Sequence, residues 1–164
     1  MIFLLNLFHN AFLLLQGLET LNLRMQQHVS NAQAMVTWLQ TQDAVAWVNH
    51  PDINAEAHTK ALFPKGAGSM LTFGVKGGRD AGAAFINALQ LSSNLANVGD
   101  SRTLVLHPGS TTHSRLSEND LIAAGIGADL IRVSVGIETL KDIQADFSLG
   151  LRAAAKILAQ QAEA

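Results

Sequence analysis

LIRVSVGIE, Leu130 to Glu138, is the stretch on which the fold turns. Read with a period of two, it sets Ile131, Val133, Val135 and Ile137 on one face and Leu130, Arg132, Ser134 and Gly136 on the other. The pattern predicts a strand with one apolar face and a guanidinium at the centre of its polar face. Arginine stays charged at any ordinary pH, and its flat fork of donors fits a carboxylate or phosphate bidentately. Ser134 and Gly136 are small and would leave room beside Arg132, so the residue can anchor a small anion. An ordinary charge on a half-solvated strand is the plainer reading of the pattern alone, and the anchor stands beside it as the alternative.

Outward from this strand, the flanking segments read as helices. Ser117-Glu118-Asn119-Asp120 is a capping box for a helix ended by Gly125 and Gly127, just upstream. Thr139 to Asp142 is a second box, opening a terminal helix with Ile143, Phe147, Leu151 and Ala154 that runs to about Ala159. Before them, Leu104 to Leu106 is a strand ended by His107-Pro108-Gly109, and residues 97–100 carry turn chemistry. Ser110, Thr111, Thr112, His113 and Ser114 crowd hydroxyls and an imidazole into one connector.

Further out, Asp80 reads as the N-cap of a helix over Ala81 to Leu91, and Ser69 opens a strand after the turn FPKGAG (Phe63 to Gly68). Lys65 in that turn lacks the GxxxxGK[ST] spacing of a phosphate loop and reads as a turn residue. Asp52 to Phe63 is a loop or short helix, and AWVNHP (Ala46 to Pro51) is a short strand stopped by proline. From Asn10 to about Gln42 apolar residues recur at three- and four-residue steps with no proline, which predicts a long helical segment. Its expected irregular points are Gly17 and Ser30-Asn31. Met1 to Leu15 is the most apolar part; Asn6, His9 and Asn10 interrupt it, so it reads as a buried helix in preference to a signal or anchor segment. The expected fold is α+β: a two-layer sandwich of about four mainly antiparallel strands with helices on one face, after a long N-terminal helical segment.

The chain has 164 residues, 48% hydrophobic and 15% charged, which suits one domain with a real core over residues 1–164. A net charge of −2 and the absence of any Lys/Arg run give no basis for a nucleic-acid partner, and no membrane partner is expected. With no cysteine there is no disulfide or thiolate chemistry, which suits a reducing, cytoplasmic compartment. The six histidines form no metal motif, so no metal site is expected; His107 and His113 read as turn histidines. No GxSxG elbow accompanies the serines. Chemistry alone supports one anion anchor, Arg132, with a polar loop near it.

NAFLLLQGLETLNLRMQQH (Asn10 to His28), FPKGAGSMLTFGVKGG (Phe63 to Gly78), NVGDSRTLVLHPGSTTHS (Asn97 to Ser114) and LIRVSVGIETLKDIQADF (Leu130 to Phe147) together resemble the pyridoxal-phosphate-dependent Cys/Met metabolism family. The resemblance is strongest to its O-acetylhomoserine sulfhydrylases, and it falls on the family's smaller C-terminal domain. It implies that Arg132 grips the α-carboxylate of the amino-acid substrate, O-acetyl-L-homoserine, and that Asn97 helps orient it. It implies that Ser110, Thr111, Thr112 and His113 support the cleft. In the family, sulfide or a thiol replaces acetate at Cγ, with a Schiff-base lysine carrying the protons.

That lysine, the aspartate on the pyridine nitrogen, the phosphate loop and the stacking tyrosine belong to the family's larger domain. Lys60, Lys65, Lys76, Lys141 and Lys156 match no Schiff-base motif, and the chain has no tyrosine. The resemblance therefore implies a cofactor bound mainly by a domain outside this sequence and no catalytic residue within it, so that by itself the chain is expected to be inactive. The partner is then a cofactor domain or a full-length paralogue, with self-association into a homo-oligomer. The alternative is a non-catalytic remnant that assembles with such a paralogue. HPGS in place of HPAS and Arg115 in place of Gln are mild departures.

Overall fold

The computed structural model describes residues 2–54 and 56–163. In chain order the elements are α1 (Ile2–Glu19), α2 (Leu21–Gln40), β1 (Val45–Asn49), α3 (Pro51–Asn54), α4 (Ala57–Leu62), β2 (Met70–Val75), α5 (Gly78–Ala88), β3 (Ser93–Asn94), β4 (Leu104–Leu106), α6 (Glu118–Ala123), β5 (Leu130–Ser134) and α7 (Leu140–Glu163). A 3₁₀ turn, Pro108–Ser110, follows β4.

Alternation holds over Leu130 to Val133, but β5 stops at Ser134 and does not run on to Glu138, and Ser134 on the other face is buried as well. Ile131 and Val133 are fully buried, and together with Leu71, Phe73, Val75 and Val105 they pack against Ala32, Met35, Phe85, Ile143 and Phe147 from α2, α5 and α7. One face of the sheet is thus roofed by helices. Phe73, Phe85 and Phe147 meet at its centre with ring centroids 5.4 to 6.1 Å apart, two of the three pairs edge-on. Such pairs add about 0.5–1.5 kcal/mol each beyond the area they bury. Close approach of α5 to α7 depends on Gly150, where a Cβ would stand 2.5 Å from the Phe85 ring.

The sheet has five strands in the order β1-β2-β5-β4-β3, one more than expected. β1/β2, β2/β5 and β5/β4 are antiparallel and β3/β4 is parallel, which makes the sheet mixed. The extra strand, β3, is two polar residues long and has no alternation to announce it. It exists because β4 offers it an edge to bond.

The N-terminal half departs further from expectation. The helix breaks at Thr20, with φ −103° and ψ 3°, and runs unbroken through Gly17 and through Ser30-Asn31. Asn31 is buried and spends its amide on the other side of the core. Nor is the apolar N-terminal helix buried: within α1, Phe8 is 72% and Leu14 70% exposed, and Leu7, Phe12, Leu15 and Leu18 also face outward. For Met1 and the side chains up to Asn6 this expectation lies outside the described residues. Among those described, no helix is long and apolar enough to cross a membrane.

Smaller differences sit at element ends. α5 begins at Gly78, preceded by Gly77 at φ +102°, so Asp80 lies in its first turn and does not cap it; the helix also stops at Ala88, short of Leu91. Asp52 to Phe63 holds two short helices, and α7 reaches Glu163. The first capping box forms at Ser117, whose Oγ accepts from Asp120 N at 3.3 Å; the Glu118 side chain is outside the described residues. At the second box the backbone carbonyl of Thr139 accepts from Asp142 N and Ile143 N.

Candidate substrate-anion site

Opposite the helices, the sheet carries Thr72 of β2, Arg132 and Ser134 of β5 and Leu106 of β4, with Thr72 and Leu106 directly across from Arg132; Ser134 and Leu106 are buried, and Thr72 and Arg132 are half-buried. Arg132 is half-buried at mid-strand, and no described residue pairs with it by a hydrogen bond or an ion pair. A guanidinium held in a sheet with no partner among the described residues keeps its fork of donors available for an anion.

The end of β5 is tied to the segment before β4. Gly99 N donates to Ser134 Oγ at 3.3 Å, and Ile137 N to Ser101 O at 2.9 Å. Gly99, at φ +75°, turns the chain so that its amide meets Ser134, two residues along the strand from Arg132. Asn97 stands exposed in that turn, its Oδ1 accepting from Val98 N at 2.9 Å, so the turn meets the end of the strand that carries Arg132 at its middle. No hydrogen bond joins Asn97 to Arg132. Gly136 does not provide clearance for Arg132 as its spacing suggested. A Cβ there would collide with Glu138 Oε2 and lie 2.5 Å from the backbone of Arg102 and Thr103.

The hydroxyl-rich loop folds around a residue that the sequence marks only as a turn histidine. His107 is buried; its Nε2 donates to Ala128 O at 2.8 Å and its Nδ1 shares a hydrogen with Ser110 Oγ at 2.9 Å. Thr111 Oγ1 donates to His107 O at 2.8 Å. Ser110 and Thr111 therefore shape the loop, while Thr112 and His113 bond each other at 2.8 Å. The available signal was His-Pro followed by hydroxyls, the pattern of an imidazole at the hub of a turn. An apolar hollow beside His107 is lined by Arg79, Gly109, Leu121, Ile122, Ile126 and Ala128; Arg132 does not line it.

Lys65, Lys76, Lys141 and Lys156 are all exposed, and the Lys60 side chain lies outside the described residues. Among the described residues no three His, Asp or Glu side chains gather as a metal site. The residues on that face include one half-buried guanidinium, Arg132. They provide neither a buried lysine nor a phosphate cradle, so by themselves they do not fit a complete pyridoxal phosphate site.

Residues 6–152 match the model of the Cys/Met metabolism PLP-dependent enzymes, and the chain belongs to that family. It is 49% identical over 147 residues to the homocysteine synthase of Schizosaccharomyces pombe, covering 88% of this chain and 34% of the relative. It is 44% identical over 144 residues to O-acetyl-L-homoserine sulfhydrylase 1 of Thermus thermophilus, covering 86% and 34%. A crystal structure of an O-acetylhomoserine (thiol)-lyase from Campylobacter jejuni, which contains N'-pyridoxyl-lysine-5'-monophosphate, superposes with a TM-score of 0.77 at 38% identity, over 88% of this chain and 35% of that one. The chain spans about a third of the length of the relatives it matches.

Proposed function

We propose that this chain forms the substrate-carboxylate-binding part of a pyridoxal-phosphate-dependent O-acetylhomoserine sulfhydrylase. In this reading residues 1–164 correspond to the smaller C-terminal domain of such an enzyme, and a cofactor-binding domain completes the site. The observation that carries it is Arg132, a half-buried guanidinium at mid-strand on the open face with no partner among the described residues. Arg132 clamps the α-carboxylate of O-acetyl-L-homoserine, and Asn97, in the turn tied to Ser134, helps set its orientation. Ser110, Thr111, Thr112 and His113 support the wall of the cleft.

Pyridoxal phosphate supplies an electron sink for carbanions, a capacity no side chain of this protein has. The chain's contribution is positional: fixing the carboxylate plane sets which bond at Cα stands perpendicular to the cofactor ring. The exposed apolar stripe of α1 supports docking on a cofactor domain or a full-length paralogue and assembly into an oligomer.

The test supplies the cofactor-binding domain of a full-length sulfhydrylase and measures homocysteine formation from O-acetyl-L-homoserine and sulfide. Two hydrogen bonds to a charged group contribute about 1.5–3 kcal/mol each, so Arg132→Ala is expected to lower kcat/KM roughly a hundred- to ten-thousand-fold. Arg132→Lys recovers little, because a point charge cannot make two parallel bonds. Near-normal efficiency in both variants, or losses matched by unfolding, would show that Arg132 is a structural charge. Full-length partners that bind the chain without any gain in turnover would favour the non-catalytic assembly reading.

A further inference from the structure

Beyond β5 the chain enters a closed set of hydrogen bonds, with Glu138 at its centre. Glu138 Oε1 accepts from Thr103 N at 2.6 Å, and Oε2 accepts from Thr103 Oγ1 at 2.9 Å. Thr103 Oγ1 in turn accepts from Gly136 N at 3.0 Å, and Thr103 is fully buried. The backbone that carries Glu138 is pinned from the other side. Asn31 Nδ2 donates to Gly136 O at 3.0 Å and to Glu138 O at 2.9 Å, and Gln27 Nε2 holds Asn31 Oδ1 at 2.8 Å. His28 Nδ1 donates to Val135 O at 2.7 Å. Only glycine fits at 136, since a Cβ would run into the Glu138 carboxylate and the backbone of Arg102 and Thr103.

Together with the backbone bond from Ile137 N to Ser101 O, this carboxylate fixes where residues 97–103 meet the end of β5. It grips Thr103, the last residue of the segment, by two bonds, while the Gly99–Ser134 bond between two uncharged groups holds the turn that carries Asn97. Charge-assisted bonds are roughly twice as strong as neutral ones, so the register of the segment is set at Glu138 and transmitted to the turn. We infer that Glu138 is a positioning residue for the substrate-carboxylate site, acting through Thr103 and the 97–101 turn to place Asn97 beside Arg132. This rests on the proposed function for the identity of the anion, but not for the mechanics of the turn.

The sign of the effect separates positioning from charge. A negative group near an anion site opposes anion binding, so if Glu138 acted by its charge, Glu138→Gln would lower KM for the substrate. As a positioning residue it acts by its acceptor geometry. Glu138→Gln keeps an acceptor for Thr103 N and is expected to leave KM within about threefold, whereas Glu138→Ala raises it about tenfold or more with a smaller change in kcat.

Two measurements test this. In the purified chain, hydrogen exchange at the Gly99 amide is expected to speed up about tenfold in Glu138→Ala, while Val133 in the sheet centre keeps its protection. With a sulfhydrylase cofactor domain supplied, KM for O-acetyl-L-homoserine is compared for Glu138→Ala, Glu138→Gln and Arg132→Lys, well below the melting temperature of each. Unchanged Gly99 exchange overturns the inference. So does an unchanged KM in Glu138→Ala when Arg132→Lys raises it, or a KM that falls in Glu138→Gln. If Arg132→Lys leaves KM unchanged, the proposed function is what fails, and the exchange result alone decides whether Glu138 holds the turn.

Discussion

Replacing Asp146 by asparagine is expected to weaken the fold more than any isosteric surface change, because its carboxylate collects three backbone donors. Asp146, on α7, is 4% exposed and reaches across to the segment after α5. Its Oδ1 accepts from Gln90 N at 2.6 Å and Leu91 N at 3.0 Å, and its Oδ2 from Ser92 N at 2.8 Å. Among the described residues the buried Ser92 Oγ has no partner at bonding distance, so the backbone N–H groups are the donors. Burial pushes the carboxyl's pKa up, but these donors outweigh it, and the net pKa lies below the ordinary carboxylate value. Asparagine keeps one carbonyl oxygen, so Ser92 N would face an amide NH₂. Losing one charge-assisted bond and orphaning a buried donor costs about 3 kcal/mol. At roughly 2–4 °C per kcal/mol for a chain of this size, Tm should fall by about 6–12 °C.

The pH dependence gives an independent check. A carboxyl whose folded pKa is depressed contributes stability above its unfolded pKa, and loses it as pH falls through the folded value. The gap between the natural chain and Asp146→Asn should therefore be full at neutral pH and close progressively below the ordinary carboxylate range. Thermal and urea unfolding of both chains, followed from neutral to acid pH, would measure it. A Tm change under about 2 °C, or a gap that does not narrow in acid, would refute the claim that three backbone donors hold this carboxylate.

Two further outcomes follow from packing. Gly150→Ala gains about 1 kcal/mol of helix propensity. It also drives a methyl into the Phe85 ring, which Phe73 and Phe147 hold in place, at an overpacking cost of about 1–3 kcal/mol. A net loss of stability is expected in thermal unfolding, and a gain would mean that the ring can yield. The open apolar stripe of α1 is expected to make the purified chain self-associate and bind a hydrophobic dye, and Leu14→Gln with Leu18→Gln should reduce both. Light scattering that finds a monodisperse monomer without dye binding would count against this.

What the sequence determined by itself is what depends on near neighbours. The alternation of Ile131, Val133 and Val135 needed only the pleat of a strand to choose the buried face, and it marked Arg132 as facing away from the core. Ser117 and Asp120 form their cap within one turn, and Pro108 ends β4 where it stands. Family resemblance supplied what those patterns could not, the chemistry expected of Arg132 and Asn97.

Tertiary structure decided whatever joins distant positions. β3 is a strand because β4 lies beside it, and α1 is exposed because no described element lies against its apolar stripe; periodicity says that a face is apolar and not what covers it. Gly136 looked like space for a guanidinium and is instead the gap that admits the Glu138 carboxylate. The bonds from Asn31 to Gly136, from Thr103 to Glu138 and from residues 90–92 to Asp146 span 35 to 105 residues of chain. A hydrogen bond has the same local sequence signature whether its partner is present or absent, so only the folded chain could place these donors and acceptors opposite one another.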